Sequence, residues 1–365
     1  MAGQRDVLVL YDERMLAHRP DIEDRFLPGR LDRRVREILS GLEVKWSYPE
    51  HPGRITVVRE LLEREPVRGV RFETGAAATR EQLGRVHTTA YLEDIYAMRG
   101  QSAWLDVDTT AMSAGSVDAA EVAAGTAIAA VEAVVEGRAQ CSFALVRPPG
   151  HHAEPVRARG FCLFNNVSVA AAHAQAKLGC RRVLIVDWDA HHGNGTQEIF
   201  WADPDVLFFD IHRGAPFYPG SGGLEETGGG LGDGTTINVP VPGGAGDVAY
   251  VRAFREILVP AADWFKPDLV LVSAGFDSHR LDLALNLSYE GFSALAGIMQ
   301  EISDRHCPGR LALVLEGGYH TDALAGGVRA VLEVLAGATP TEPMECGLAE
   351  VEQAIAFHRD AFTRD

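Results

Sequence analysis

Val183-Leu184-Ile185-Val186-Asp187-Trp188-Asp189-Ala190-His191-His192-Gly193-Asn194-Gly195 decides how this chain is read. Four consecutive apolar, mostly β-branched residues predict a strand buried on both faces, as in a parallel sheet. Two carboxylates and two imidazoles follow within six residues. Side chains two apart on an extended chain share a face, so Asp187, Asp189 and His191 point the same way. Neighbours on that face are about 6–7 Å apart, close enough for two of them to hold one metal ion. Burial of such groups is costly unless they are paired or metal-bound, so the segment asks for a cation.

The chain has 365 residues, 46% hydrophobic and 23% charged, and fits one globular α/β domain over residues 1–365. No run of about 18 apolar residues is present, which argues against a membrane span. The first residues lack a basic and then apolar secretion pattern, and a cytoplasmic location is expected. Cys141, Cys162, Cys180, Cys307 and Cys346 are odd in number and never spaced Cys-x-x-Cys, so they read as small buried hydrophobes. The net charge of −17 argues against non-specific nucleic-acid binding. It would attract cationic substrates, although an acidic, solubilising surface is the simpler reading.

Apolar runs alternate with helical patterns along the chain, the signature of βαβ units. Strands are expected at Val7–Leu10, Phe143–Val146, Val183–Val186, Val206–Phe209, Leu269–Val272 and Leu311–Leu315. Helices are expected at Ala119–Glu136, Val167–Lys177, Asp247–Ala262, Tyr289–Asp304 and Gly326–Ala336. Five of the strands run into polar, glycine-flanked segments: His151-His152, the Asp187–His191 cluster, Asp210-Ile211-His212, Gly275-Phe276-Asp277 and Gly317-Gly318-Tyr319. Open parallel sheets bind ligands beyond the carboxyl ends of their strands.

Asp189, His191 and Asp277 form a candidate metal site, and two carboxylates with one imidazole suit Zn²⁺. An Asp after a strand can equally cap its turn. His151 and His152 form a candidate acid/base pair, or a simply exposed pair in a Pro/Gly loop. A water activated by a metal needs a base nearby and an acid for the leaving amine. Asp187 could orient one imidazole and Asn194 the other. A phenol at Tyr319 could donate to an oxyanion, or merely pack. Gly160, Phe161, Phe217 and Tyr218 could wall a narrow channel, with His212 at its rim. His18 and His320 read as structural. Gly228–Gly234 lacks the ending of a phosphate loop.

In order along the chain stand Arg147-Pro148-Pro149-Gly150-His151-His152, Gly160-Phe161-Cys162-Leu163-Phe164-Asn165-Asn166, Asp187-Trp188-Asp189-Ala190-His191-His192-Gly193-Asn194-Gly195-Thr196, Phe217-Tyr218-Pro219-Gly220-Ser221-Gly222, Ala274-Gly275-Phe276-Asp277 and Glu316-Gly317-Gly318-Tyr319. Together they resemble the arginase/deacetylase superfamily, and within it the class II histone deacetylase-like amidohydrolases of bacterial type, related to acetylpolyamine amidohydrolases. The resemblance spans about residues 50–336. It implies a single α/β domain with a central, mostly parallel sheet and helices on both faces. It also implies Zn²⁺ on Asp189, His191 and Asp277, with His152 as general base and then acid, and His151 held by Asp187. Asn194 marks the class II form, and Tyr319 matches the catalytic tyrosine. K⁺ beneath the zinc is implied through Asp187 and the residue at position 210.

Three departures stand out. Position 210 is usually Ser and here is Asp. The run after Asp277 reads Leu281-Asp282-Leu283-Ala284, where the family commonly has Gly-Asp-Pro or Leu-Asp-Pro, and Ala284 takes the place of a gatekeeper Glu found in polyamine-selective relatives. The opening pattern is split: Tyr11-Asp12 and His18 precede an inserted segment of about residues 19–46, helical around Leu31–Leu42, before Tyr48-Pro49-Glu50-His51-Pro52-Gly53-Arg54. A helical tail is expected over about 340–365.

The expected activity is a zinc-dependent amidohydrolase acting on acetyl-lysine, an acetylpolyamine or another acetylated primary amine. A non-catalytic acyl-amine sensor and a binuclear-manganese ureohydrolase are the rivals, the latter lacking further carboxylates after Asp277. No nucleic-acid or membrane partner is expected, and the inserted segment leaves room for a homo-oligomer.

Overall fold

A computed structural model of the protein describes residues 4–20, 48–106, 109–283 and 285–359. All but the first two residues of the inserted segment, and Ala284, lie outside these residues. Eight strands form one parallel sheet: β1 (Val7–Leu10), β2 (Val70–Glu73), β5 (Cys141–Ala144), β6 (Val183–Asp187), β7 (Val206–Arg213), β8 (Thr236–Val241), β9 (Leu269–Ala274) and β10 (Leu311–Leu315). β3 (Ala103–Trp104) and β4 (Ala111–Met112) make a separate antiparallel pair. The sheet order is β2-β1-β5-β10-β9-β6-β7-β8. Every residue of β1, β5, β6, β9 and β10 is buried. Since successive strand residues face opposite ways, helices must cover both faces.

The chain passes from β5 to β6 across a gap that β9 and β10 later fill. Strands remote in sequence thus become neighbours, and the segments after β5, β10, β9 and β6 meet at one carboxyl edge. A reversal of strand order is where such sheets open a ligand crevice.

Several elements differ from expectation. β5 lies two residues earlier than predicted, although the Leu145 amide still bonds the Leu10 carbonyl. The helix expected over Asp247–Ala262 is Asp247–Ala253 and Val259–Phe265 around a π turn at Phe254–Leu258. Pro260 has no amide to bond the carbonyl four residues back, and the wider turn ends at its door. The helix expected from Gly326 begins at Thr321, capped by the His320 ring, which accepts from the Ala323 amide (3.3 Å). Of the tail, only Glu352–His358 is helical among the described residues, and the His358 ring bonds the Asn238 carbonyl on β8 (2.9 Å). All five cysteines are free thiols, four of them buried.

Candidate active site

Asp189 and His191 leave the end of β6 and Asp277 leaves the end of β9. One donor atom from each lies within 4.8 Å of the others. The His191 Nδ1 is 2.9 Å from Asp277 Oδ2 and 3.1 Å from Asp189 Oδ1. Both carboxylates are fully buried. Burial and the like charge of Asp189 push Asp277 up to about 6, a measure of how poorly two desolvated carboxylates tolerate each other. Asp277 Oδ2 also makes no hydrogen bond. A Cβ on Gly317 would lie 2.6 Å from Asp189 Oδ2 and from Asp277 Oδ2, so only glycine leaves these oxygens free to converge. A buried, convergent donor set with an orphaned oxygen fits a divalent cation.

His151 and His152 lie beside this cluster with ring centroids 4.0 Å apart. They are held differently. His151 Nδ1 donates to Asp187 Oδ2 (2.9 Å). Burial opposes its charge, but Asp187 and Asp189 outweigh that and hold it well above its ordinary value. His152 Nδ1 pairs with Asn194 Oδ1 (2.8 Å), and Asn194 Nδ2 donates to Glu154 Oε1 (2.8 Å). Because the Asn194 amide nitrogen is spent on a carboxylate, its oxygen must accept. His152 therefore carries its proton on Nδ1 and presents a bare Nε2. Burial, then His151 and His191, depress His152 well below its ordinary value. Two imidazoles side by side are thus driven toward opposite charge states.

The aromatic residues stand over these groups. Phe217 stacks on His191 (4.7 Å, 15°) and Tyr218 meets His152 edge to face (5.1 Å). Phe161 packs edge to face against Tyr319 (5.7 Å) and Tyr48 (5.1 Å). Phe161, Phe217, Tyr218 and Tyr319 are partly exposed while His151 and His152 are buried, the arrangement of a channel wall. Phe161 sits at φ +69°, a left-handed conformation unusual for a bulky residue, and its amide bonds the Thr110 hydroxyl (3.1 Å). Gly160 contributes by absence: at φ +55°, its Cβ would lie 2.6 Å from His152 Cγ.

One expected channel residue does not reach the channel. His212 is not at the rim: it is fully buried, bonded to Asp210 Oδ1 (2.6 Å) and the Gly222 carbonyl (3.1 Å). β7 runs to Arg213, four residues beyond its predicted end, and alternation turns His212 inward. Asp210 is opposite Asp187 in the sheet register, and its Oδ2 accepts from the Gly193 amide (2.7 Å).

Sequence reasoning missed the frame behind Tyr319. Glu50, Arg54 and Arg147 are fully buried together. Glu50 accepts from Arg147 Nε (2.9 Å) and Nη2 (2.7 Å) and from Arg54 Nη1 (2.9 Å). Arg54 reaches the Gly318 carbonyl (2.5 Å) and the Glu316 carbonyl, and lies under the Tyr319 ring (5.1 Å). His18 Nε2 is 3.3 Å from Glu50, so the split opening pattern is rejoined in space. Asp282 Oδ2 accepts the amides of both Tyr319 and His320 (2.6 Å each). Glu316 accepts those of Gly150 (2.6 Å) and His151 (3.1 Å). The i, i+4 spacing of Glu50 and Arg54 was the one available signal.

A parallel sheet carrying an Asp/His cluster at its carboxyl edge is the layout of the deacetylase class. Residues 48–335 match the histone deacetylase domain, and the chain belongs to that family as a deacetylase of the amidohydrolase type. It is 38% identical to "Histone deacetylase 14, chloroplastic" of Arabidopsis thaliana over 80% of this chain and 74% of that one. It is 37% identical to the "Histone deacetylase-like amidohydrolase" of Pseudomonas aeruginosa over 80% and 77%. "Polyamine deacetylase HDAC10" of Homo sapiens is 37% identical over 87% of this chain and 50% of its own length. The crystal structure of the HDA15 HD domain superposes with a TM-score of 0.86 at 34% identity, covering 99% of this chain and 96% of that one.

Proposed function

We propose that the protein is a zinc-dependent amidohydrolase that removes an acetyl or related acyl group from an amide of a primary amine, such as acetyl-lysine or an acetylpolyamine. The observation that carries this is the convergence of Asp189, His191 and Asp277 beside two imidazoles held in different states. Asp189, His191 and Asp277 would hold the zinc. When bound, zinc supplies a Lewis acid that polarises the amide carbonyl and acidifies a water molecule.

The remaining steps belong to the chain's own side chains. His152 Nε2 takes a proton from the attacking water, while Asn194 keeps the opposite proton on Nδ1. Tyr319 donates its hydroxyl hydrogen to the oxyanion that forms at the carbonyl carbon. His151, held charged by Asp187, balances the negative charge that develops. His152 then returns its proton to the departing amine. Phe161, Phe217 and Tyr218 line the alkyl chain and exclude water from it.

For K⁺ the donor set is less open. Both oxygens of Asp187 are occupied by the Asp189 amide (3.1 Å) and His151, and both of Asp210 by Gly193 and His212. No step here depends on that ion.

The test is metal content together with turnover of acetyl-lysine peptides, acetylputrescine and acetylspermidine. About one zinc per chain is expected, with activity lost on chelation and restored by Zn²⁺. Full turnover by metal-free protein, or no turnover of any acetyl amide by zinc-loaded protein, would refute the reading.

A further inference from the structure

The two aromatic residues that lean on the site histidines each carry an arginine. The Arg159 guanidinium lies over the Tyr218 ring (5.5 Å) and the Arg213 guanidinium over the Phe217 ring (4.6 Å). Both arginines are partly exposed, like the rings they cover. Their placement follows from the fold. Arg159 precedes Gly160-Phe161 in a short loop closed by the Arg159–Cys162 bridge, and Arg213 ends β7 just before the Phe217-Tyr218 segment.

On this side of the mouth Arg159 is ion-paired, whereas Arg213 is not. Glu154 is almost wholly buried and is shared among Arg157, Arg159 (3.0 Å) and Asn194. Glu198, which is exposed, and Asp106, whose charge reaches Tyr218, are further acids near this group. Asp106 accepts the Thr109 and Thr110 amides, and Asp282 accepts those of Tyr319 and His320. Among the described residues Arg213 has no carboxylate within ion-pair distance, although the whole chain carries −17. Arg213 is thus an unpaired cation stacked on a channel ring of a strongly acidic protein. Guanidinium groups on aromatic faces are pre-organised to pair with carboxylates.

We infer that Arg159 and Arg213 form a cationic collar on the Phe217-Tyr218 side of the channel mouth, which favours acyl amines bearing a carboxylate on their amine side over polycationic acetylpolyamines. This rests on the amidohydrolase reading above and names its substrate class. The acyl group enters beneath the rings, and the far end of the amine, about one lysine side chain away, emerges beside the guanidinium groups. A substrate carboxylate there gains a cation, whereas the ammonium groups of acetylspermidine meet like charge. One such interaction at about 8 Å in partly solvated surroundings changes kcat/KM by about 3- to 10-fold, and replacing a cation by an anion changes it by about 10- to 50-fold.

The experiment compares kcat/KM for three substrates of zinc-loaded protein: an acetyl-lysine peptide with flanking glutamates, acetylspermidine, and an uncharged blocked acetyl-lysine. Wild type, Arg159→Glu, Arg159→Gln and Arg213→Gln are measured at low and high salt. Wild type should prefer the acidic peptide over acetylspermidine relative to the uncharged reference. Arg159→Glu should move that ratio toward acetylspermidine by about 10-fold or more, with smaller shifts for the two glutamine variants. Salt should compress every ratio, because exposed charges are screened beyond about 8 Å at physiological ionic strength. A wild-type preference for acetylspermidine, or ratios that do not move in any variant while the uncharged reference turns over, would overturn the collar alone. Silence on all three substrates would overturn the amidohydrolase reading, and the collar with it.

Discussion

Replacing Gly160 with alanine adds one methyl group and should disable the site without removing any group that carries chemistry. A Cβ at this position would lie 2.6 Å from His152 Cγ and closer still to its Cδ2, where ordinary contacts begin at 3.4 Å, so the ring must retreat by more than about 0.8 Å. It cannot do so freely. Its Nδ1 is tied to Asn194 at 2.8 Å, Tyr218 covers its edge at 5.1 Å, and His151 lies against it at 4.0 Å. Misplacing a reacting group by about 1 Å costs on the order of 100-fold in rate. The methyl group also meets φ +55°, which costs a non-glycine residue roughly 1–2 kcal/mol. The expected result is a kcat lower by about two orders of magnitude, with zinc stoichiometry intact and a stability loss of roughly 1–2 kcal/mol by urea titration. Wild-type kcat in the alanine variant would refute the claim that His152 is held by shape.

Three further outcomes follow from the same geometry. Tyr319→Phe should keep its zinc and lose about 100- to 1,000-fold in kcat, as removal of one oxyanion donor does, and a near-normal kcat would assign the phenol to packing alone. Glu50→Gln leaves Arg54 and Arg147 buried without their carboxylate, so urea titration should show a loss on the order of 3–5 kcal/mol, whereas a loss below 1 kcal/mol would mean the three are not a unit. His87 accepts the Asn165 amide at Nε2 (3.0 Å) and donates Nδ1 to the Glu154 carbonyl (3.1 Å), so only the neutral ring satisfies both, and burial lowers its pKa from 6.5 to about 4. Its contribution is fully present above pH 6.5 and is lost as pH falls toward 4, on the order of 3 kcal/mol, and His87→Gln should flatten that limb of the stability curve.

The residues proposed for catalysis were legible because of where they stand. A strand buried on both faces has few residue types open to it, so β1, β6, β9 and β10 announce themselves, and the polar groups after them are conspicuous. Besides the two-residue pair β3 and β4, the strands that escaped notice, β2 and β8, are the two edges of the main sheet. Val70-Arg71-Phe72-Glu73 carries charge, and Thr236-Ile237-Asn238-Val239-Pro240-Val241 carries a proline, both tolerated where one side of a strand has no neighbour. Gly326-Gly327 hid the first turn of its helix because glycine there answers to packing, against Tyr289 and Phe276, not to helix propensity. The frame of Glu50, Arg54 and Arg147 was out of reach for a different reason. Its members are brought together from about one hundred residues apart, and no local pattern records that.

The order of strands also has a consequence for how the protein is made. β9 and β10 occupy the centre of the sheet, between β5 and β6, yet they are the last two strands to leave the ribosome. Until about residue 277 has emerged, β6 lacks its neighbour β9 and Asp189 has no Asp277 opposite it, and until about residue 315 β5 lacks its neighbour β10. The nascent chain therefore carries an open seam of Cys141–Ala144 and Val183–Asp187 through most of its synthesis. Unpaired strand edges of that kind are where chains stick to one another and where chaperones hold them. The proposed metal ligands Asp189, His191 and Asp277 come together only once β9 has docked on β6, and β10 must then close the seam against β5 before the site has its full frame.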